Sequence, residues 1–189
     1  MLPKRFAAGI PICYAVGVGE DVDFERRLSD RGAAKQRPFD PTPRTGKFMA
    51  DPRNTVAGAT FVAIGVWKED CVQTFHASSN LGHVSHSIVV DTGSASGGFI
   101  AECRTIRSVM RHDRIDVFKL NVEGAEDAIL QSALNPGVRP SAILVTYRRG
   151  MHGLRRQCGG PNTSVITAGI SWVARAGVSR MPVLPTTFD

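Results

Sequence analysis

Two glycines one residue apart, Gly17 and Gly19, close an apolar run from Ile12 to Val18 and are followed at once by Glu20 and Asp21. Glycine lets a chain turn sharply and bring its backbone close to a ligand, and the two carboxylates offer acceptors for a cation or a hydroxyl. Gly-x-Gly alone is equally compatible with a plain strand-to-helix turn. Asp40 adds to it. It ends a second short strand, Gln36 to Phe39, about 23 residues after Gly17, and a carboxylate roughly 20 residues beyond such a turn meets ribose hydroxyls in nucleotide-binding βαβ units. An Asp-Pro turn would account for Asp40 by itself, but the turn and the acid together favour a ribose-bearing ligand. The full G-x-G-x-x-G pattern is missing, because Val22 stands three beyond Gly19. A diphosphate needs close backbone approach along that helix start, so its absence beside carboxylates disfavours a dinucleotide and favours a cationic sulfonium ligand.

A third turn carries candidates for the acceptor side. Ile115 to Leu120 reads as a strand, Asn121-Val122-Glu123-Gly124 as a turn, and Ala125, Ile129, Leu130 and Ala133 fall at helical spacing until Asn135-Pro136-Gly137 stops them. Asn121 and Glu123 then stand at the carboxyl end of a central strand, where doubly wound sheets hold their ligands. Glu123 is the candidate base for a hydroxyl acceptor, with a carboxylate bonded to the turn's own amides as the equal alternative. Glu126 and Asp127 open the following helix, where they offset its dipole. His76, His83 and His86 with Cys71 offer zinc-type donors, but positions 83 and 86 of a strand face opposite ways, and no metal is expected. Arg104, Arg107 and Arg111 recur at helical spacing as on a solvated face.

These residues need a scaffold that alternates strands and helices. Phe24 and Leu28 sit one helical turn apart after the glycine turn. After Asp40, Pro41 and Pro43 end the strand, and residues 44–56, with Gly46, Pro52 and Asn54, predict a short or irregular helix. Ala59 to Val66 reads as a buried strand. Cys71 to His76 and Ser85 to Val90 read as a hairpin, Phe99 to Cys103 as a strand, and Ile106, Val109 and Met110 as one face of a helix ending near His112. Ala142 to Tyr147 is a further strand, residues 150–163 a loop, and Ile170 to Ala174 with Val183 to Phe188 a closing hairpin. The alternation predicts an α/β fold, a Rossmann-like doubly wound and mostly parallel sheet with a C-terminal antiparallel hairpin.

With 189 residues and 42% hydrophobic content, the chain can bury one substantial core, and a single domain over residues 1–189 is expected. The net charge of +6 is scattered along the chain except at Arg104, Arg107, Arg111 and Arg114 and at Arg148, Arg149, Arg155 and Arg156, a mild bias, and only two Tyr and two Trp are present. A dedicated nucleic-acid binder concentrates its charge and adds stacking aromatics, so nucleic acid is disfavoured as the main partner. The four cysteines form no C-x-x-C pair and no signal peptide precedes them, which favours a reducing, cytoplasmic setting. No apolar run approaches a membrane span. Oligomeric state is not readable from the sequence.

Four segments in order carry a specific resemblance: Cys13 to Phe24, Phe39-Asp40-Pro41-Thr42-Pro43, Gly65 to Asp70, and Lys119-Leu120-Asn121-Val122-Glu123-Gly124-Ala125-Glu126. Together they resemble FkbM-type methyltransferase-like proteins over about residues 12–147. The resemblance implies a Rossmann-like methyltransferase with S-adenosylmethionine as cofactor and a hydroxyl of a small molecule as methyl acceptor. It implies that Gly17, Gly19 and Glu20 hold the methionine part, Asp40 the ribose and Asp70 the adenine side, with Asn121 and Glu123 on the catalytic side. Asn121 stands where the family commonly has Asp, and the chain begins about a dozen residues before the first core strand, where relatives often carry a helix. Both features describe a truncated or diverged member. The rival readings are a non-catalytic methyltransferase-like binding protein and a nucleotide-dependent oxidoreductase.

Overall fold

The computed structural model describes residues 12–32, 35–77, 86–87, 98–122, 124–135, 137–146, 164–168 and 172–175. Five strands of the larger sheet run parallel: β1 (Ile12–Val16), β2 (Lys35–Phe39), β7 (Val117–Leu120), β8 (Ala142–Thr146) and β9 (Ser164–Ala168), with β10 (Trp172–Arg175) antiparallel at the edge. The strand order is β10-β9-β8-β7-β1-β2. From β1 the chain crosses to β2 on one side, and the later crossing from β7 to β8 moves the other way. Right-handed crossovers in opposite directions put their helices on opposite faces. Accordingly α1 (Asp23–Ser29) covers Cys13 and Val117, while α4 (Glu126–Leu134) covers Tyr14, Phe118 and Ile143. The reversal falls between β1 and β7, and a doubly wound sheet opens its ligand cleft at the carboxyl ends of the strands there.

A second sheet, ordered β3-β6-β4-β5, comprises β3 (Gly65–Val66), β4 (Cys71–Ala77), β5 (His86–Ser87) and β6 (Gly98–Arg104). Its strands β4 and β6 pair antiparallel over six residue pairs, and Phe75 and Cys103 turn inward to join the core of the α4 face. The short helix α3 (Ile106–Val109) leads from this sheet back to β7. Of the predicted hairpin of Cys71 to His76 with Ser85 to Val90, the described residues show the antiparallel pairs His76 with Ser87 and Ala77 with His86.

The helix after Asp40 is regular. Pro43, one of the two prolines that stop β2, is the first residue of α2 (Pro43–Ala50), and the Thr42 hydroxyl caps it by accepting from Thr45 N at 3.3 Å. Proline fits there because the first helical N–H has no partner in any case. Asp51 then ends α2 and caps a single 3-10 turn at Pro52–Asn54.

Ala59 to Val66 is not the buried strand the sequence predicts. It touches β2 through two bridges, Gln36 with Ala59 and Phe39 with Val62, and only Gly65–Val66 forms a strand, paired with β6. The reason is Pro38. Gln36 N, Thr60 N, Val62 N and Asp40 N all donate across this edge, but Pro38 has no N–H to give, so the ladder is interrupted at its middle. At the other edge an antiparallel pair forms between Ser164–Ala168 and Trp172–Arg175. The predicted partner Val183 to Phe188 lies outside the described residues. No helix among the described residues is long and apolar enough to cross a membrane.

Candidate functional site

The glycine turn is held from two sides. Gly17 N donates to Phe39 O at 2.9 Å, and Asn121 N donates to Val16 O at 3.0 Å, so the exits of β1, β2 and β7 are stitched together. Gly17 has φ +78°, and a Cβ there would stand 2.0 Å from the Asn121 carbonyl oxygen. Only glycine allows that approach. Gly19, at φ +63°, is different, because a Cβ on it would meet nothing within 4 Å. Its backbone borders open space.

That space is a cleft of about 390 Å³ at the carboxyl ends of β1, β2 and β7, a size typical of small-molecule sites. Its polar lining includes Gly17, Gly19, Glu20, Asp21, Asp40 and Asn121, and its apolar wall includes Val16, Val66, Phe75, Ala125 and Ile129. Asp40 is buried at the floor. Its Oδ2 accepts from Gly19 N at 2.9 Å, and its Oδ1 accepts from Thr42 N at 2.9 Å and from the Thr42 hydroxyl at 2.7 Å. A carboxylate has about four acceptor positions, so Oδ2 retains room for a ligand hydroxyl. The same residue shapes the glycine turn and faces the cleft.

Glu20 reaches the rim but is engaged: its Oε2 lies 2.7 Å from Arg44 Nε, in an exposed ion pair. Asp21 accepts from Asp23 N at 2.8 Å, at the start of α1. Asn121 is exposed and lines the cleft on the β7 side. Glu123 lies outside the described residues. His83 lies outside them too, and of His76 and His86 only the strand placement is described; no cluster of metal-binding side chains occurs among the described residues.

Asp70 is not brought to the cleft. One oxygen accepts from Thr105 N at 2.7 Å and the other from the Ser108 hydroxyl at 2.7 Å, with Arg104 at 3.5 Å, and these bonds hold its carboxyl below the usual range. It ties the start of α3 to the loop before β4. The part of the cleft wall contributed by the second sheet comes from Val66 and Phe75, not from Asp70. Phe75 stacks on Phe99, ring centroids 5.0 Å apart. Nothing in the local spacing of residues 65–75 marks them as cleft residues, since a strand pairing with a segment some 30 residues away creates the wall.

Glu126 does more than offset a helix dipole. It is buried, its Oε2 accepts from Gly124 N at 2.8 Å, and burial pushes its carboxyl above the ordinary value. Gly124 takes φ +101°, so this carboxylate fixes the turn that follows Asn121. Its second oxygen, Oε1, is buried without a partner among the described residues.

A mostly parallel open sheet, a glycine turn lacking the diphosphate cradle and an acid at the exit of the second strand define an α/β protein with a cleft of small-molecule size at the exits of its central strands. The family described as the methyltransferase FkbM domain matches residues 10–152, and the chain belongs to that family. No curated protein and no solved structure matches the chain.

Proposed function

We propose that the chain is an S-adenosylmethionine-dependent methyltransferase that methylates a hydroxyl on a small molecule. The observation that carries this reading is the cleft at the β1/β7 reversal, where Asp40 and the open Gly19 backbone face one space. The donor set suits the cofactor. Carboxylates at the rim complement its cationic sulfonium and ammonium, Asp40 Oδ2 has room for a ribose hydroxyl, and the apolar wall accepts a purine ring. The cofactor supplies an electrophilic methyl group on sulfur. The protein's part is to bind, orient and exclude water: Gly17 and Gly19 set the backbone path, Glu20 holds the methionine ammonium, and the Asn121 to Gly124 turn fixes the acceptor side. Glu123, which precedes Gly124 in the sequence, would accept the proton of the acceptor hydroxyl.

Calorimetric titration with S-adenosylhomocysteine tests the reading. Asp40→Ala should weaken binding by about 1–3 kcal/mol, because a buried hydroxyl loses its acceptor. Unchanged affinity removes Asp40 from the site. Asn121 favours a second reading, a cofactor-binding relative with little turnover, since an amide in the cleft adds a donor and has no charge. Asn121→Asp should then raise release of S-adenosylhomocysteine about 10-fold or more over a panel of hydroxylated compounds, equivalent to about 1.4 kcal/mol of barrier. Equal rates would make the amide neutral, and cofactor binding with no turnover by either protein would support the non-catalytic reading.

A further inference from the structure

Beside the cofactor cleft lies a second basin of about 510 Å³, and Glu20 lines both. One face of α2 and the residue after it builds this basin: Arg44, Lys47, Phe48 and Asp51 recur at helical spacing, and Arg53 follows. Three of its side chains are cations and two are carboxylates. The Asp51 and Arg53 pair is self-contained, with Arg53 Nη2 2.6 Å from Oδ2 and Nε 3.1 Å from each oxygen. That leaves Lys47, which has no ion pair among the described residues, and Arg44, whose partner Glu20 belongs equally to the cofactor cleft.

We propose that this basin seats the anionic group of the methyl acceptor, a carboxylate or a phosphate, and that Glu20 couples its occupancy to the cofactor. The inference rests on reading the neighbouring cleft as the S-adenosylmethionine site. The methionine ammonium and Arg44 compete for the single negative charge of Glu20, whose Oε2 Arg44 Nε holds at 2.7 Å. When the ammonium takes Glu20, the Arg44 guanidinium is released about one helical turn from Lys47, and the two cations can fork one anion with charge-assisted hydrogen bonds. The exposed Glu20 and Arg44 pair is the kind that exchanges readily, because water screens it. Bound cofactor therefore prepares the acceptor site, and by linkage a bound anion tightens the cofactor by the same factor. The acceptor is accordingly a hydroxylated acid rather than a neutral alcohol.

The experiment is calorimetric titration of the full chain with malate as the carboxylate arm, glycerol phosphate as the phosphate arm and glycerol as the neutral arm. Each is run on the protein alone, with saturating S-adenosylhomocysteine and with saturating adenosine, which has no ammonium. At least one anion should bind about 5-fold or more tightly with S-adenosylhomocysteine than with adenosine or alone, and glycerol should not bind. Arg44→Gln should abolish that enhancement, and Lys47→Gln should weaken the anion about 10-fold in every state. Both side chains are at the surface, and circular dichroism checks that the variants stay folded. The proposal is overturned if no anion binds, if glycerol binds equally, if the three states give one affinity, or if Arg44→Gln leaves the enhancement intact. Failure of S-adenosylhomocysteine to bind the native chain would overturn the cleft reading and the coupling together. Anion binding that Lys47→Gln weakens would then still establish the basin.

Discussion

On one face of the larger sheet Tyr14, Phe118 and Leu120 meet Ile129, Leu130 and Ala133 of α4. On the other, Cys13, Val117 and Lys119 meet Phe24, Glu25 and Leu28 of α1. The first face is largely apolar, its buried polar atoms including Trp67 Nε1 and the Tyr14 hydroxyl, which accepts from Arg111 N at 2.9 Å and lies 3.0 Å from His112 Nδ1. The second holds a charged pair: Lys119 Nζ lies 3.1 Å from Glu25 Oε1, with Glu25 fully buried and its Oε2 unpartnered among the described residues. Lys119 Nζ also stands 4.5 Å above the Phe24 ring. Burial and the nearby Glu25 push the Cys13 thiol far up, so it stays neutral. An apolar face gains by area removed from water, whereas a buried ion pair must first overcome the desolvation of both charges. The pair joins the helix that follows the glycine turn to the strand that precedes the Asn121 turn, so the polar face registers the two halves of the cleft.

That contrast can be broken in measurable ways. Lys119→Met strands the Glu25 carboxylate and should cost about 3–5 kcal/mol of unfolding free energy in urea. Lys119→Met with Glu25→Leu should return most of that loss, since an apolar pair of similar volume replaces an ion pair with little penalty. A single variant as stable as the native chain would show that water reaches the pair. Ile129→Ala, on the apolar face, should cost about 3 kcal/mol through lost burial and a residual cavity. No second substitution on α1 should rescue it; a rescue would mean that the faces are not independent.

The smallest expected effect concerns the exit of the apolar face. Glu126 has its folded-state carboxyl raised above the unfolded value of about 4.5 by burial, so the native chain holds that proton more tightly than the unfolded one. The carboxylate then costs nothing below about pH 4.5 and costs progressively more as pH rises through the folded value. Glu126→Gln keeps an acceptor for Gly124 N and should flatten the decline in stability above about pH 4.5. If the slopes of the native chain and the variant coincide, Glu126 is solvated in solution.

The parts legible in the sequence are those built from neighbours in the chain. The strand from Ile12, the turn at Gly17, the acid at Asp40 and the strand, turn and helix from Val117 to Leu134 follow local periodicity, and each falls where the spacing predicts. The α2 helix was half-hidden because Gly46 and Pro52 weaken its pattern, while the Thr42 cap and Pro43 start that define it look from the sequence like a strand stop. What could not be read is non-local. The wall from Phe75 arises from β4 pairing with β6, Arg44 meets Glu20 across 24 positions, and Asp70 is drawn to Thr105 and Ser108. Asp70 matched its motif in type and order, but its carboxylate serves a helix start.

Pro38, where the edge ladder lapses, has a consequence for behaviour in a crowded solution. The flank of β2 is covered by residues 59–62 through a few hydrogen bonds only, and such a cover can peel away without unfolding the sheet. An uncovered parallel edge would ordinarily template the addition of a foreign strand. Here the exposed row has a missing donor at its centre, so an incoming chain meets a gap where it needs a bond, and the same proline that weakens the native cover discourages growth into aggregates.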